Sequence, residues 1–294
     1  MKNLPNHGIA SFHSTDPENI IIRDCYFQNG GATNGVVEGG LGTDGAAIVL
    51  EGQRWQAINN VIRNWARGIE IFSPYADLHG LVARGNQILS VPWQGIVSLP
   101  GTDVRIFDSI ITDNIIEGDP SSAVPAVTGI QLAQMERCNI SGNRISRCAG
   151  AGIYAHSLFL RNTISANSIF SCQVGITLWD VAAGTNMAHN IVSHNHIDAT
   201  DHSGISVNGV NNSVLYNHIT RPDRAGSGAS GIRLFTGLTN IWCAAIGNTI
   251  ADATMGIHIE NGVRTNRVFD NHMTRVTVPV FYGGIGTIVR DITQ

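Results

Sequence analysis

Residues 143–177 read NRISRCAGAGIYAHSLFLRNTISANSIFSCQVGIT. Two short motifs alternate in this stretch: Asn143-x-Ile145, Gly152-Ile153, Asn167-x-Ile169, Gly175-Ile176. Outward from it, Gly-Ile recurs at Gly68, Gly95, Gly129, Gly152, Gly175, Gly204, Gly231 and Gly256, at intervals of 27, 34, 23, 23, 29, 27 and 25 residues. Asn-x-Ile (or Met) falls between these pairs at Asn60, Asn86, Asn114, Asn143, Asn167, Asn195, Asn217, Asn248 and Asn271. Gly8-Ile9 and Gly45-Ala46 read as degraded early copies, and Cys25 with Phe27 takes the Asn register in the first one. A repeat of this length is one supersecondary unit that buries its apolar face only by stacking on its neighbours.

The segments between the motifs read Ile-x-Ile or Val-x-x with Asn and Gly punctuation, which suits short strands and not the 12-residue amphipathic stretches of helical repeats. Three strands per turn, stacked in parallel, predict an all-β solenoid of about ten coils. The Asn is expected to tolerate left-handed backbone and to hydrogen-bond its equivalents above and below as a ladder. The Gly is expected to allow a tight corner. The chain is read as a single domain over 1–294, with no N-terminal cap and a partial C-terminal cap at 276–294, where Pro279 blocks edge pairing. The uncapped start predicts either a further domain ahead of it or self-association at that end.

Composition bounds the function. Of 294 residues only 14% are charged, the net charge is −4, and Lys2 is the one lysine beside seventeen arginines. That balance removes the electrostatic case for nucleic acid. No apolar run approaches a membrane span, and Met1 to His7 show no signal peptide.

The alternation resembles the parallel β-helix repeat of the right-handed, pectate-lyase-like superfamily, from residue 8 to about 275. The resemblance implies the right-handed parallel β-helix fold, a bias towards polysaccharides as partners, and an extracellular or periplasmic setting. It does not choose among lyases, hydrolases, epimerases, tailspikes and adhesins. The paired-Asp and Gly-His-Gly motifs of polygalacturonases and the Asp-Pro-His signature of alginate epimerases are absent from the sequence.

With a period of two, the residues after Gly-Ile alternate between core and exterior, and coils stack about 4.8 Å apart. One outward column is predicted to run Ala10, Ala47, Glu70, Val97, Gln131, Tyr154, Thr177, Ser206, Arg233, His258. The next runs Phe12, Val49, Phe72, Leu99, Ala133, His156, Trp179, Asn208, Phe235, Glu260. From Tyr154 onward the columns turn aromatic, hydrogen-bonding or charged, which is the chemistry of a sugar-binding surface. Two long loops, containing Gly118–Ser122 and Pro222–Gly228, are expected to wall this face; Gly30–Asp44 is a third long stretch.

The expected activity is a lyase or epimerase acting on a uronic-acid-containing polysaccharide. Such chemistry needs a carboxylate neutraliser, a base and an acid. The candidates are Arg233, His258, His156 and Tyr154 as catalytic groups, with Trp179, Asp180, Asn208, Phe235 and Glu260 binding substrate. A non-catalytic carbohydrate-binding, tailspike-like or structural module is the alternative. Glycoside hydrolysis ranks third. It needs carboxylates about 5–5.5 or 6.5–9.5 Å apart, whereas Asp180 and Glu260 are three coils apart and Glu51 with Glu70 has poor sugar-binding surroundings; Asp119 or Asp223 could supply a partner. No cofactor and no metal site are expected. His196 and His218 stack on adjacent coils near His194 and His202, but a flat sheet offers two ligands where zinc needs three or four. Cys148 and Cys172, each five residues after a ladder Asn, are expected to stack inside the core as reduced thiols.

Overall fold

The computed structural model describes residues 8–9, 18–28, 45–101, 103–119, 127–179, 186–223, 229–235, 242–261 and 263–294. It is a right-handed β-solenoid in which every strand pairing is parallel and no helix occurs among the described residues. One face is an 11-stranded sheet of short strands, one per coil, from Ile21–Arg23 through Thr163–Ser165 to Ile288–Val289. The described residues therefore make eleven coils, where about ten were expected. The sequence count stopped where the motifs fade, while pairing continues into the final strand Ile288–Val289.

The other strands form two faces, one following the ladder Asn and one following Gly-Ile. Most coils send an isoleucine inward from both; Phe27 and Met273 replace it on the first face and Val280 on the second, at the terminal coils. Ile145 pairs with Ile169 and Ile153 with Ile176, and all four are buried. The backbone groups bond to the coils on either side, so the core needs no polar atoms from its side chains.

The ladder is unbroken from Asn60 to Asn271 through eight side-chain links. Asn167 shows the pattern. Its Oδ1 accepts from the backbone N–H of Asn143 at 3.0 Å and from Asn143 Nδ2 at 2.9 Å, while its Nδ2 donates to Asn195 Oδ1 at 2.9 Å and to the Ile140 carbonyl at 3.0 Å. Each buried amide thus has all its polar valences used.

The expected reason for asparagine needs correction. The left-handed residue is the one before it, as at Ala166 (φ 54°), His194 (φ 55°) and Tyr216 (φ 54°). That residue turns the chain so that the Asn points inward, where its amide replaces missing strand hydrogen bonds. The reason for the Gly-Ile glycines also changes. They lie inside strands, or in the case of Gly204 directly before one, and none has a φ in the left-handed region. A Cβ on Gly152 would stand 2.5 Å from Ile169 Cγ2 and 2.9 Å from the Gly175 carbonyl oxygen. Close packing between coils excludes a side chain there.

A second, shorter ladder lies at the opposite end of the 11-stranded sheet. Asn162 donates to Asn190 Oδ1 (backbone 2.9 Å, side chain 3.3 Å), and Asn190 to Asn212 Oδ1 (2.9 and 3.0 Å). Cys138 and Cys243 occupy the same seat, their backbone N–H groups donating to Asn162 and Asn266 at 2.8 Å. Cys25 takes the end of the main ladder as expected, donating to Asn60 Oδ1 at 3.1 Å.

Cys148 and Cys172 stack as expected, two residues beyond the paired Ser146 and Phe170, and both are buried. All five cysteines are free thiols. Donation of its S–H to Cys172, with burial, holds the Cys148 thiol well above the ordinary range. At the end of the chain, His272–Tyr282 stays in register with Thr249–Ile259, pairing Met255 with Val278 and Ile257 with Val280, so Pro279 sits within a continuing strand.

Candidate functional site

The outward columns are as the alternation places them from Glu70 onward: Gln131, Tyr154 and Thr177 are in register, as are Ser206, Arg233 and His258, and Ala133, His156 and Trp179. Gly8-Ile9 keeps the register, with Ile9 paired to Ile48, but the copy read at Gly45-Ala46 is shifted by two. Ile48 pairs with Ile69 and Val49 with Glu70, so Ala47-Ile48 is the repeat equivalent and Gly45-Ala46 is not. Glu51 consequently falls opposite Phe72, one step beyond the paired Leu50 and Ile71.

Two clusters occupy the face. The first centres on Tyr154 and His156, two residues apart on the strand Ala151–Leu160, half-buried and stacked with ring centroids 5.0 Å apart. Burial lowers the His156 pKa and raises that of Tyr154, favouring the neutral imidazole and the protonated phenol. Gln131 Nε2 lies 3.2 Å from His156 Nε2, and Ser157 Oγ lies 3.1 Å from Nδ1. Gln131 is joined in turn to Gln94 (3.3 Å), Gln94 to Arg67 (3.0 Å) and Arg67 to Glu70 (3.0 Å), with the Trp93 ring 4.6 Å from the guanidinium carbon.

Sequence reasoning missed Arg67, Trp93 and Gln94. Arg67 and Gln94 sit directly before the glycines of Gly-Ile and pair with one another in register. A column written at that position would have shown them. Glu70, with 0% of its side chain exposed and ion-paired to Arg67, offers a substrate no surface, so a Glu51–Glu70 hydrolytic pair is not available.

The second cluster holds Trp179, Arg233, Phe235, His258 and Glu260. Arg233 and His258 are register neighbours as expected. Arg233, however, is already bound: its Nε donates to Glu260 Oε1 at 2.6 Å and its guanidinium lies 5.5 Å from the Phe235 ring. Glu260, expected to bind substrate, is here the partner of Arg233: two long side chains of opposite charge on adjacent coils meet. Asn208 and Phe235 are likewise buried, at 1% and 6% exposure; Trp179 leans on Phe235 at 5.1 Å and is itself 43% exposed. Burial is the main cause lowering the His258 pKa; Glu260 opposes it and Arg233 adds to it.

Tyr154 and Arg233 lie three coils apart, about 14 Å by the coil spacing, and Trp179, the register partner of His156, bridges the two clusters. Asp180, residues 120–126, residues 224–228 and Gly30–Asp44, on which the expected groove walls depend, lie outside the described residues. So do residues 1–7 and 10–17, where self-association was expected.

The remaining candidates lie elsewhere. His196 and His218 stack on adjacent coils, with centroids 5.2 Å apart, while His194 packs on Tyr216. Among the described residues no three His, Cys, Asp or Glu side chains converge on a metal position. A groove of about 410 Å³ lies on the face following the ladder Asn, lined by Ile115, Glu117, Arg144, Ser146, Arg147, Phe170 and Ser171. Among the described residues no helix is long and apolar enough to cross a membrane.

Comparison with solved structures finds the same winding in distant proteins. DFA-IIIase from Arthrobacter chlorophenolicus A6, in complex with GF2, superposes with a TM-score of 0.54 at 16% identity, covering 90% of this chain and 65% of the other. A tailspike protein mutant of E. coli bacteriophage HK620 gives 0.63 at 13%, covering 88% and 48%. A lacto-N-biosidase from Eubacterium ramulus gives 0.59 at 12%, covering 84% and 51%. The chain thus spans between about half and two thirds of the length of these proteins. No curated protein sequence matches it. The family described as "right handed beta helix region" matches residues 42–190, half of the sequence, and with the parallel coils and the Asn ladder this places the chain in the right-handed β-helix family.

Proposed function

We propose that the protein acts on a polysaccharide bound along the face that follows Gly-Ile, as a lyase or C5-epimerase of a uronic-acid-containing polymer. The observation that carries this reading is the Tyr154–His156 pair: a base and an acid 5.0 Å apart on one strand, each held by burial in the form it needs. His156 takes the proton from C5 of the uronate. In elimination, the electron pair of that C–H bond forms the C4–C5 double bond as the C4–O bond breaks, and Tyr154 protonates the departing oxygen. In epimerisation Tyr154 returns a proton to the opposite face of C5. Trp179 offers a flat apolar face beside His156 for the neighbouring sugar. Arg233 serves a carboxylate further along the chain once that carboxylate displaces Glu260. The saccharide enzyme named among the structural relatives supports a sugar partner, and a polymeric substrate supports an extracellular or periplasmic setting.

The test is incubation with a panel of polyuronates in D₂O. Unsaturated chain ends, or deuterium at C5 without cleavage, are expected, with loss of both in Tyr154→Phe and His156→Ala. Cleavage that leaves saturated non-reducing ends, with no unsaturated product, would refute the reading in favour of hydrolysis. A non-catalytic binding module is the second reading, favoured by the Arg233–Glu260 pairing, which leaves the one arginine of this half of the face among the described residues occupied; saturable binding without any of these products would establish it.

A further inference from the structure

The chain of side chains from Glu70 to His156 has a direction. A guanidinium only donates hydrogen bonds. Gln94 must therefore turn its oxygen towards Arg67 Nε (3.0 Å), which leaves its NH₂ facing Gln131 (3.3 Å). Gln131 must then present its oxygen to Gln94 and its NH₂ to His156 Nε2 (3.2 Å). A ring nitrogen that accepts carries no proton, so the imidazole hydrogen is on Nδ1, where Ser157 Oγ at 3.1 Å receives it. Every link follows from the first. Arg67 is fixed in turn by Glu70 and the Trp93 face, with side-chain exposures of 7% for Arg67 and 0% for Glu70. Reversing one amide would break two hydrogen bonds at partly or wholly buried atoms, each costing about 1–3 kcal/mol.

We propose that Arg67, Gln94 and Gln131 are positioning residues that hold His156 as the neutral Nδ1–H tautomer, its Nε2 lone pair accepting from Gln131 until substrate displaces that amide and Nε2 takes the proton. The information starts three coils away, about 14 Å along the axis, and is carried by two amides with no charge of their own. Satisfying buried polar atoms would not by itself require this: two glutamines facing each other without Arg67 could settle in either sense. The proposal rests on the reading of His156 as the base, because only then does the tautomer matter to turnover; the tautomer itself is observable without any substrate.

The experiment is ¹⁵N NMR of the histidine-labelled protein, His156 being assigned by its loss in His156→Ala, together with the pH profile on polyuronate. In the wild type, Nε2 of His156 is expected in its unprotonated position and Nδ1 in its protonated one. Gln131→Glu, which can only accept, should move the proton to Nε2 and shift the acid limb of activity upward. Gln131→Leu should give a tautomer mixture and lower kcat at least about tenfold with KM little changed. Removing Arg67 alone would strand a buried carboxylate, so the double variant Arg67→Met/Glu70→Leu, which keeps the volume apolar, is the variant that tests the source; it should also give a mixture. A wild-type proton on Nε2, or a double variant still wholly Nδ1–H, overturns the inference. If the wild type shows the Nδ1–H signature but no polyuronate is turned over, the reading of His156 as a base fails and the positioning network stands.

Discussion

At the scale of single residues, Arg233 and Glu260 show how much a column of names leaves out. The alternation put both on the outer face correctly, but their meeting at 2.6 Å is a matter of side-chain length and rotamer. The pair is partly exposed, at 46% and 19%, so it is worth roughly 0.2–1 kcal/mol. Glu260→Gln is therefore expected to free Arg233 and tighten binding of uronate oligomers up to about fivefold, leaving neutral oligosaccharides unchanged; isothermal titration calorimetry reads both. His156 gives the pH dependence. Its working form is neutral and burial lowers its pKa, so activity is present above that pKa and lost only as the pH falls beneath the ordinary histidine range. The Tyr154 pKa is raised, so the alkaline limb lies above the ordinary tyrosine range. A plateau extending well to both sides of neutrality is the expected kcat profile; an acid limb in the ordinary histidine range would contradict the burial argument. Tyr154, His156 and Trp179 were legible because a period of two decides which side of a strand a residue takes. Arg67 and Gln94 were not, because they precede the motif used to fix the register.

At the scale of the coil, two substitutions separate the forces that hold neighbouring turns together. Asn167→Ala removes an amide that uses all its hydrogen bonds and leaves buried partners unsatisfied. A loss of about 2–3 kcal/mol is expected in urea unfolding. Gly152→Ala removes nothing and adds one methyl group against Ile169 and the next glycine's carbonyl, and a loss of about 1–3 kcal/mol is expected from overpacking. Both columns were plain in the sequence as repeats, and the ladder expected of the asparagines forms, yet the backbone reasons assigned to both columns were wrong in the same way. A motif announces that a position is constrained without saying by what. The second ladder escaped notice although Asn162, Asn190 and Asn212 each precede x-Ile or x-Val five residues ahead of the first. Cys138 and Cys243 interrupt it, and two interleaved copies of one motif look like one irregular copy. The shift at Ala47-Ile48 has a simpler cause: the long stretch Gly30–Asp44 intervenes, and counting across it loses the phase.

For the molecule as a whole, the four buried thiols Cys138, Cys148, Cys172 and Cys243 are expected to resist alkylation until the coils open. Burial pushes Cys138 up to about 11 and Cys243 up to about 12, and thiolate is the reactive form. Mass spectrometry after alkylation in the native state and in urea should show these four modified only in urea; modification of Cys148 or Cys172 in the native protein would mean that the stacked interior is not closed. The acid side of stability is carried by arginine. Asp108, Asp198 and Asp252 are each bonded to an arginine one coil on, at Arg137, Arg221 and Arg275, and each has its pKa lowered chiefly by that bond. Their contribution is thus present above the ordinary aspartate range and fades as the pH falls through their depressed values. One consequence of the stacking is mechanical. The backbone of each coil is bonded to the coils immediately before and after it, so the fold stores its strength in series. Gripped at both ends and drawn along the axis in an optical trap, the protein should pay out like thread from a bobbin, one turn of about 25 residues and some 80–90 Å of extended chain at a time. The force record would then be a train of similar teeth and not the single rip of a two-layer domain.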